Sequence, residues 1–388
     1  MIHIGVFFGG TSVEHEVSVI TALQAIAQLK KLDGYKVVPI YISKQNTWHT
    51  GDYLFEIEHF KDLDKVLAQS EHIHMIRGEH GAKLVSTPDK HGRLKVVADI
   101  DIAFPMIHGT GGEDGSLQGY IEHMDIPCVG SSVLSAALTM DKIASKFFLQ
   151  NSGIRVVEGE WFYAHHWLEY ASDIVEDLEE KLTYPMIVKP ADIGSSVGVK
   201  PAYNREDLIE AIHFARKFST RILVERMLVG MREINISVLG DSEKLSLSVC
   251  EEPISANEFL TYEEKYVNEG GQKGMSAAKR RIPAPLTPEL QSEIERMAAE
   301  AFIALDCCGV VRIDFMIDGK TQKPYINEFN TIPGSLSFYL WEPAGKSFPD
   351  MLSEMIEAGY RTYRRKKSLM RSNSLNILSS ADLKGIKK

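Results

Sequence analysis

The run "KPYINEFN" sets Glu328 and Asn330 two residues apart in an otherwise apolar strand. Side chains alternate between the faces of a strand, so these two share a surface. In "GVVRIDFMID" the same alternation places Arg312 and Asp314 together. A hairpin joining the two segments gathers Asp314, Glu328 and Asn330 into an all-oxygen cluster, which is the chemistry magnesium prefers. A solvated sheet face is the alternative, but it calls for more polar residues nearby, and Ile326 and Phe329 flank the pair instead. Pro333 and Gly334 follow, suited to a tight turn that offers a backbone N–H.

Other segments carry further chemistry. In "IVKPADIGSSVGV" an apolar strand delivers Lys189, and Gly194, Ser195, Ser196 and Gly198 form a small-residue loop whose N–H groups suit a phosphate. The lysine precedes the glycines, so this is not a Walker loop; an ordinary glycine hairpin is the other possibility. In "ILVERMLVGMREINI" Glu225 ends one strand and Glu233 begins the next. Facing one cleft, they suit an amine and sugar hydroxyls; as paired surface carboxylates they would do nothing. "FFGGTSVEHEVS" runs from a strand through Gly9 and Gly10 into a helix with Glu14 in its first turn, and "MIHGTGGEDGSLQG" sets His108, Glu113 and Asp114 beside a second glycine loop. Strand carboxyl ends in an open α/β layer are where ligands sit, which makes His108 a substrate-binding candidate; a loop histidine with satisfied hydrogen bonds is the other option.

The elements that must position these groups follow from local pattern. The first third alternates "IHIGVFF", a helix over about 17–32, "YKVVPIYI", "DIAFPMI" and "IPCVG", which argues for an open α/β layer, with 44–98 as polar, irregular hairpins and surface excursions. A second block holds one helix over "SSVLSAALTMDKIASKFFLQNSG", strands at "RVVEGEWF", "YPMIVKP" and "SSVGVKP", a helix at "REDLIEAIHFARKF" and a strand at "RILVERML", a compact α+β unit. The third has long strands at "REINISVLG", "KLSLSVCEE", "GVVRIDFMID" and "KPYINEF", interrupted by a helix opened by Thr287 and Pro288. After about Arg364 the basic, serine-rich chain reads as a flexible tail.

Bulk properties bound the rest. At 388 residues, 44% of them hydrophobic and 25% charged, the chain exceeds one ordinary core. A net charge of −10 argues against nucleic acid or a membrane surface as partner. Four cysteines without metal-ligand spacing fit a reducing cytoplasm, and the amino terminus lacks a signal-peptide pattern.

Seven blocks, "GGTSVEHEVS", "HGTGGEDGSLQG", "MDKIASK", "VKPADIGSSVG", "EEKYV", "RIDF" and "NEFNTIPG", in this order over about 1–365, resemble the D-alanine-D-alanine ligase family of the ATP-grasp superfamily. The resemblance implies an α/β and α+β ATP-grasp fold: an N-terminal substrate-binding domain over 1–130, a central subdomain over 131–228, a C-terminal subdomain with the metal site over 229–365, and a basic tail over 366–388. It implies that ATP phosphorylates the carboxylate of one D-alanine and that the amine of a second displaces phosphate, for peptidoglycan precursor synthesis. Asp314, Glu328 and Asn330 would hold two Mg2+ or Mn2+ ions. Lys142 and Lys189 would grip phosphates, with Ser195 and Ser196 in the loop above them. Glu225 would take the adenine amine and Glu233 the ribose. Glu14 would take the first substrate's ammonium, helped by Ser195 and Tyr266, while Arg312 and the Gly334 N–H would stabilise the tetrahedral oxyanion. Lys265 and Tyr266 would belong to a closing loop, and the loop after Tyr266, with its basic "KRR", is longer than the family's common form. A homodimer in the cytoplasm is implied as well.

The match fails after Gly334. Where the family has Thr and Ser, "GSLSFYLWE" puts Leu336 and Tyr339, so Tyr339 falls where a hydroxyl helps hold the acceptor carboxylate. Either the pocket has shifted to meet D-alanine, or the acceptor is D-lactate, D-serine or another amino acid. A noncatalytic nucleotide-binding relative would have lost the metal ligands or Arg312, and a bicarbonate-using relative would not need Glu14, Ser195 and Tyr266.

Overall fold

The computed structural model describes residues 1–194, 196–254 and 280–370. Strands β1 (Ile2–Gly9), β2 (Tyr35–Ile42), β3 (Trp48–Thr50), β4 (Glu71–Arg77), β5 (Ala82–Ser86), β6 (Val96–Ile100) and β7 (Ile102–Pro105) form one sheet in the order β6-β5-β4-β3-β2-β1-β7. β1 runs parallel to β2 and β7, and the other pairings are antiparallel. β6 and β7 are separated by Asp101 alone yet stand at opposite ends of that order, so the sheet must curl back on itself. Ile100 closes over Gly5, where a Cβ would come within 3.1 Å of the Ile100 and Ile40 side chains. The hairpins expected in 44–98 are present as β3–β4, β4–β5 and β5–β6, but they extend the first sheet rather than standing apart from it as excursions.

The helix His15–Leu29 starts earlier and ends earlier than the sequence suggested, and Glu14 is its N-cap rather than a residue of its first turn. The single helix expected after Ser131 is two, Val133–Met140 and Lys142–Asn151. Asp141 breaks it: its extended backbone lets its carboxylate accept from the N–H groups of Ile143 and Ala144, a cap worth about 1 kcal/mol, and it also pairs with Arg221.

Strands β8 (Gly159–Tyr163), β9 (Met186–Pro190), β10 (Lys200–Ala202) and β11 (Arg221–Arg226) form a second sheet, β10-β9-β11-β8, with the helices Trp167–Lys181 and Arg205–Ala215 packed on it. Strands β12 (Arg232–Gly240), β13 (Leu245–Leu247), β14 (Glu252–Pro253), β15 (Arg280–Arg281), β16 (Gly309–Ile317) and β17 (Pro324–Asn330) complete the molecule. Of these, β13-β12-β16-β17 form the third sheet and β14 pairs with β15. The long strand expected at "KLSLSVCEE" shrinks to β13 and β14, and the strand expected at "SSVGVKP" to β10.

Two helices tie the third sheet down. Pro288–Ala304, capped by the Thr287 hydroxyl with Pro288 at its first position as the sequence suggested, buries Ile294, Met297 and Phe302 against it. Phe348–Ser368 packs Met351, Leu352 and Met355 into a core shared with the first sheet. It continues past Arg364 to Ser368; residues 371–388 of the expected tail lie outside the described residues.

Candidate functional site

A cleft opens between the second and third sheets, lined by Lys142, Lys189, Ser196, Glu225, Glu233 and Glu328 among others. Its floor is ionic. Lys189 on β9 pairs with Leu223 on β11, so Glu225, two residues along β11, lies diagonally on the same face. The Glu225 carboxylate, 1% exposed, is held between Lys189 Nζ at 2.6 Å and Lys146 Nζ at 2.5 Å. Burial works to raise the pKa of Glu225, but the two ammonium groups outweigh it and bring it down to about 2. Gly159 on β8 sits opposite, where a Cβ would come within 2.9 Å of the Glu225 side chain. One turn before Lys146 on the same helix, Lys142 donates to the Ile193 carbonyl at 2.7 Å and lies 4.0 Å from Glu328. Burial lowers its pKa, with Glu328 opposing.

The hairpin β16–β17 pairs Arg312 with Asn330 and Asp314 with Glu328, so the sequence pattern does bring the three oxygen-bearing groups together. Asn330 donates to Asp314 at 3.1 Å. Arg312 grips Asp314 through two bonds of 2.6 and 2.8 Å. Burial would lower the Arg312 pKa, yet Asp314 holds it well above the usual value. A bulge follows, because Phe315 pairs with Ile326 and leaves Asn327 unmatched. Asn327 accepts a hydrogen bond from Lys189 at 3.0 Å, which links the hairpin to the ionic floor. Among the described residues no group of three or more His, Cys, Asp or Glu side chains forms a metal cage. The donor set here is instead two carboxylates and an amide.

The first sheet presents the opposite wall. Gly9 and Gly10 have φ of 90° and 93°, and a Cβ on Gly9 would meet the Ile42 carbonyl at 2.3 Å. That turn delivers Glu14. Its carboxylate lies 2.7 Å from where Gly109 would carry a Cβ and 3.4 Å from that point on Gly194, against both glycine loops at once. Ser195, Lys265 and Tyr266 lie outside the described residues.

His108 is buried, and its Nε2 lies 2.9 Å from the Thr21 hydroxyl. Burial, then the charge of Arg312, lowers its pKa to about 4, so it is neutral at pH 7. Glu113 accepts from Ile332 N–H at 2.8 Å, the Thr331 hydroxyl at 3.2 Å and Gly109 N–H at 2.9 Å. Burial, then Glu14, pushes its pKa up to about 7.

The turn that carries Gly334 is strained. Ser335, Leu336 and Ser337 all have φ between 51° and 52°, where each non-glycine residue costs about 1–2 kcal/mol. Leu336, which the sequence sets where the family has threonine, is 1% exposed and packs in the core with Trp341. Tyr339 donates to Glu251 at 3.0 Å, with the Arg280 guanidinium 4.5 Å from its ring centre. Glu251 also accepts from Asn235 at 3.1 Å and Arg280 at 3.3 Å. Burial, then Glu251, raises the Tyr339 pKa.

Four participants escaped the sequence: Lys146, Asn327, Glu251 and Thr21. Lys146 had a signal, its i,i+4 spacing from Lys142 on one helix face. The others depend on a bulge, an isolated bridge between Glu251 and Asn235, and a helix packing that one sequence does not declare.

Models of the two halves of one family match the chain: "D-ala D-ala ligase N-terminus" over residues 3–131 and "D-ala D-ala ligase C-terminus" over 148–357. The D-alanine--D-alanine ligase of Thermosipho melanesiensis is 39% identical over 382 residues, covering 97% of this chain and 98% of its own. That of Oceanobacillus iheyensis is 38% identical over 378 residues, covering 96% and 98%. Among solved structures, the D-alanine-D-alanine ligase of Coxiella burnetii superposes with a TM-score of 0.77 at 27% identity over 95% of this chain and 97% of that one. The VanG D-Ala:D-Ser ligase of Enterococcus faecalis gives 0.77 at 27% over 92% and 99%. With both halves matched in order and the curled α/β sheet and two antiparallel sheets superposing on those enzymes, the chain belongs to the D-alanine-D-alanine ligase family of ATP-dependent, ATP-grasp ligases.

Proposed function

We propose that this enzyme joins two D-alanines into D-alanyl-D-alanine through an acylphosphate, supplying peptidoglycan precursor synthesis. The γ-phosphoryl group of ATP passes to a carboxylate oxygen of the first D-alanine, releasing ADP. The neutral amine of the second attacks the acyl carbon, the C–O bond to phosphate breaks, and the nitrogen loses a proton as the amide forms. The observation that carries this reading is the convergence of Lys142, Lys189 and Glu328 in one cleft with Arg312 and Asp314 beside them on the same hairpin.

In this reading Lys142, Lys189, Ser195 and Ser196 hold the phosphates, and Glu233 takes the ribose. Lys189 turns from Glu225 to the nucleotide, which leaves a Glu225 oxygen to accept from the adenine amine. Glu14 holds the first ammonium, with Ser195 and Tyr266 beside it, and Lys265 and Tyr266 close over the site. Arg312 and the Gly334 N–H face the oxyanion, where one such donor is worth roughly 3 kcal/mol. Two carboxylates and an amide oxygen are the donors a hard divalent cation takes, so Asp314, Glu328 and Asn330 fit two Mg2+ or Mn2+ ions, which when bound offset phosphate charge. The division at 131 and 229, a homodimer and a cytoplasmic location belong to the same proposal; among the described residues no helix is long and apolar enough to cross a membrane.

A second reading, an acceptor other than D-alanine, draws on Tyr339, which meets Glu251 and Arg280 where the family has a serine. Purified protein with ATP, magnesium and D-alanine should release phosphate and yield a product with the mass of D-alanyl-D-alanine. Phosphate release only on adding D-lactate, D-serine or another acceptor would replace the first reading with the second.

A further inference from the structure

Resting on that reading, we infer that Thr21, His108 and Glu113 are positioning residues that fix the Gly334 turn against the first-substrate wall. The turn is fastened from both sides by side chains of the N-terminal third. Before it, Glu113 takes the Ile332 N–H and the Thr331 hydroxyl while its other oxygen takes Gly109 N–H. After it, the Ser335 N–H donates to Thr21 Oγ1 at 3.0 Å.

Thr21 lies in the helix His15–Leu29, is 1% exposed, and none of the motifs includes it. Its hydroxyl has one proton and two acceptor sites. One acceptor site is occupied by Ser335 N–H, and His108 Nε2 lies 2.9 Å from the same oxygen, where the tautomer that leaves Nε2 bare receives the hydroxyl proton. This arrangement requires an imidazole without a proton on Nε2, and burial beside Arg312 keeps His108 neutral. His108 thereby acts on the turn through Thr21. The Ser12 hydroxyl, donating to the His108 carbonyl at 2.6 Å, ties the same loop to the start of the Glu14 helix.

An apolar residue of threonine's shape would fill the space equally well. What the hydroxyl adds is direction: it specifies where Ser335 N–H points, and Gly334 is the residue before it. Glu113 and Thr21 together set the distance between a donor for the oxyanion and the wall that holds the first substrate.

The experiment compares Thr21→Val, which keeps the shape, with Thr21→Ser, which keeps the hydroxyl. Thr21→Val should lower kcat for dipeptide formation about 30- to 100-fold, the scale of a displaced oxyanion donor. KM for ATP should stay within about twofold, because the nucleotide floor is untouched. Thr21→Ser should restore kcat to within about threefold of the parent. Amide hydrogen exchange at the peptide containing Ser335 should speed up in Thr21→Val and not in Thr21→Ser, a readout independent of turnover. Unchanged exchange, or equal kcat in the valine variant and the parent, overturns the inference. A parent protein that ligates nothing, with exchange still accelerated by the valine, overturns the proposed reaction and leaves the fastening intact.

Discussion

Glu225→Gln tests the ionic floor. The carboxylate is buried between Lys146 and Lys189, and its pKa falls from 4.5 to about 2. At about 1.4 kcal/mol per pH unit, the lysines' net hold on its charged form is about 3 kcal/mol. Substituting glutamine removes that attraction and also leaves two buried ammonium groups facing one another, so the cost is about 3–5 kcal/mol. Lys146 is already held below the usual lysine range by burial, with Glu225 opposing, and losing Glu225 pushes it lower still. A lysine whose folded pKa is depressed binds fewer protons folded than unfolded, so the variant's stability rises with pH above its folded pKa, up to the ordinary lysine value. In the parent, this carboxylate contributes stability that is present above pH 4.5 and lost as pH falls toward 2. Urea unfolding at several pH values between 6 and 9, roughly the range below the ordinary lysine value, should show the variant regaining stability relative to the parent. A loss under about 1 kcal/mol with parallel pH curves would refute the reasoning.

Glu328→Gln should cut turnover at least about 100-fold and raise the magnesium requirement while the thermal midpoint without nucleotide moves little, and near-parental activity at low magnesium would contradict the metal assignment. Tyr339→Phe removes a donor from the buried Glu251, so urea unfolding should show a loss of about 1 kcal/mol, and KM for the acceptor should rise while KM for ATP does not. An unchanged acceptor KM would take Tyr339 out of the acceptor site. Ser335→Gly relieves one left-handed residue at φ 52° and should stabilise the protein by about 0.5–1 kcal/mol in the same assay. A destabilised variant would mean that the serine side chain outweighs its backbone strain.

The sequence spoke most clearly where the pattern is local. Alternation along β16 and β17 gave the meeting of Asp314, Glu328 and Asn330, because a period of two survives folding unaltered. The bulge at Asn327 did not show, since it is a property of two strands in register rather than of either alone. Asp141 was overlooked as a helix break because the apolar spacing continues across it, while its capping and its pairing with Arg221 need the folded chain. β4 was read only as part of a stretch of hairpins and excursions for a different reason: Ile73 and Met75 alone are buried among its seven residues, too few to delimit a strand. Thr21 lay inside a helix the sequence did suggest; its polar contacts come from a glycine loop 87 residues later and a turn 314 residues later.

That last separation governs when the enzyme comes into being. Thr21 and Ser335 are 314 residues apart, so the bond between them cannot form until the chain through Ser335 has left the ribosome. The strand pairings of the first sheet all lie within residues 2–105, but the turn after Pro333 reaches Thr21 and Glu113 only once it has itself been made, and contacts of such long range form slowly.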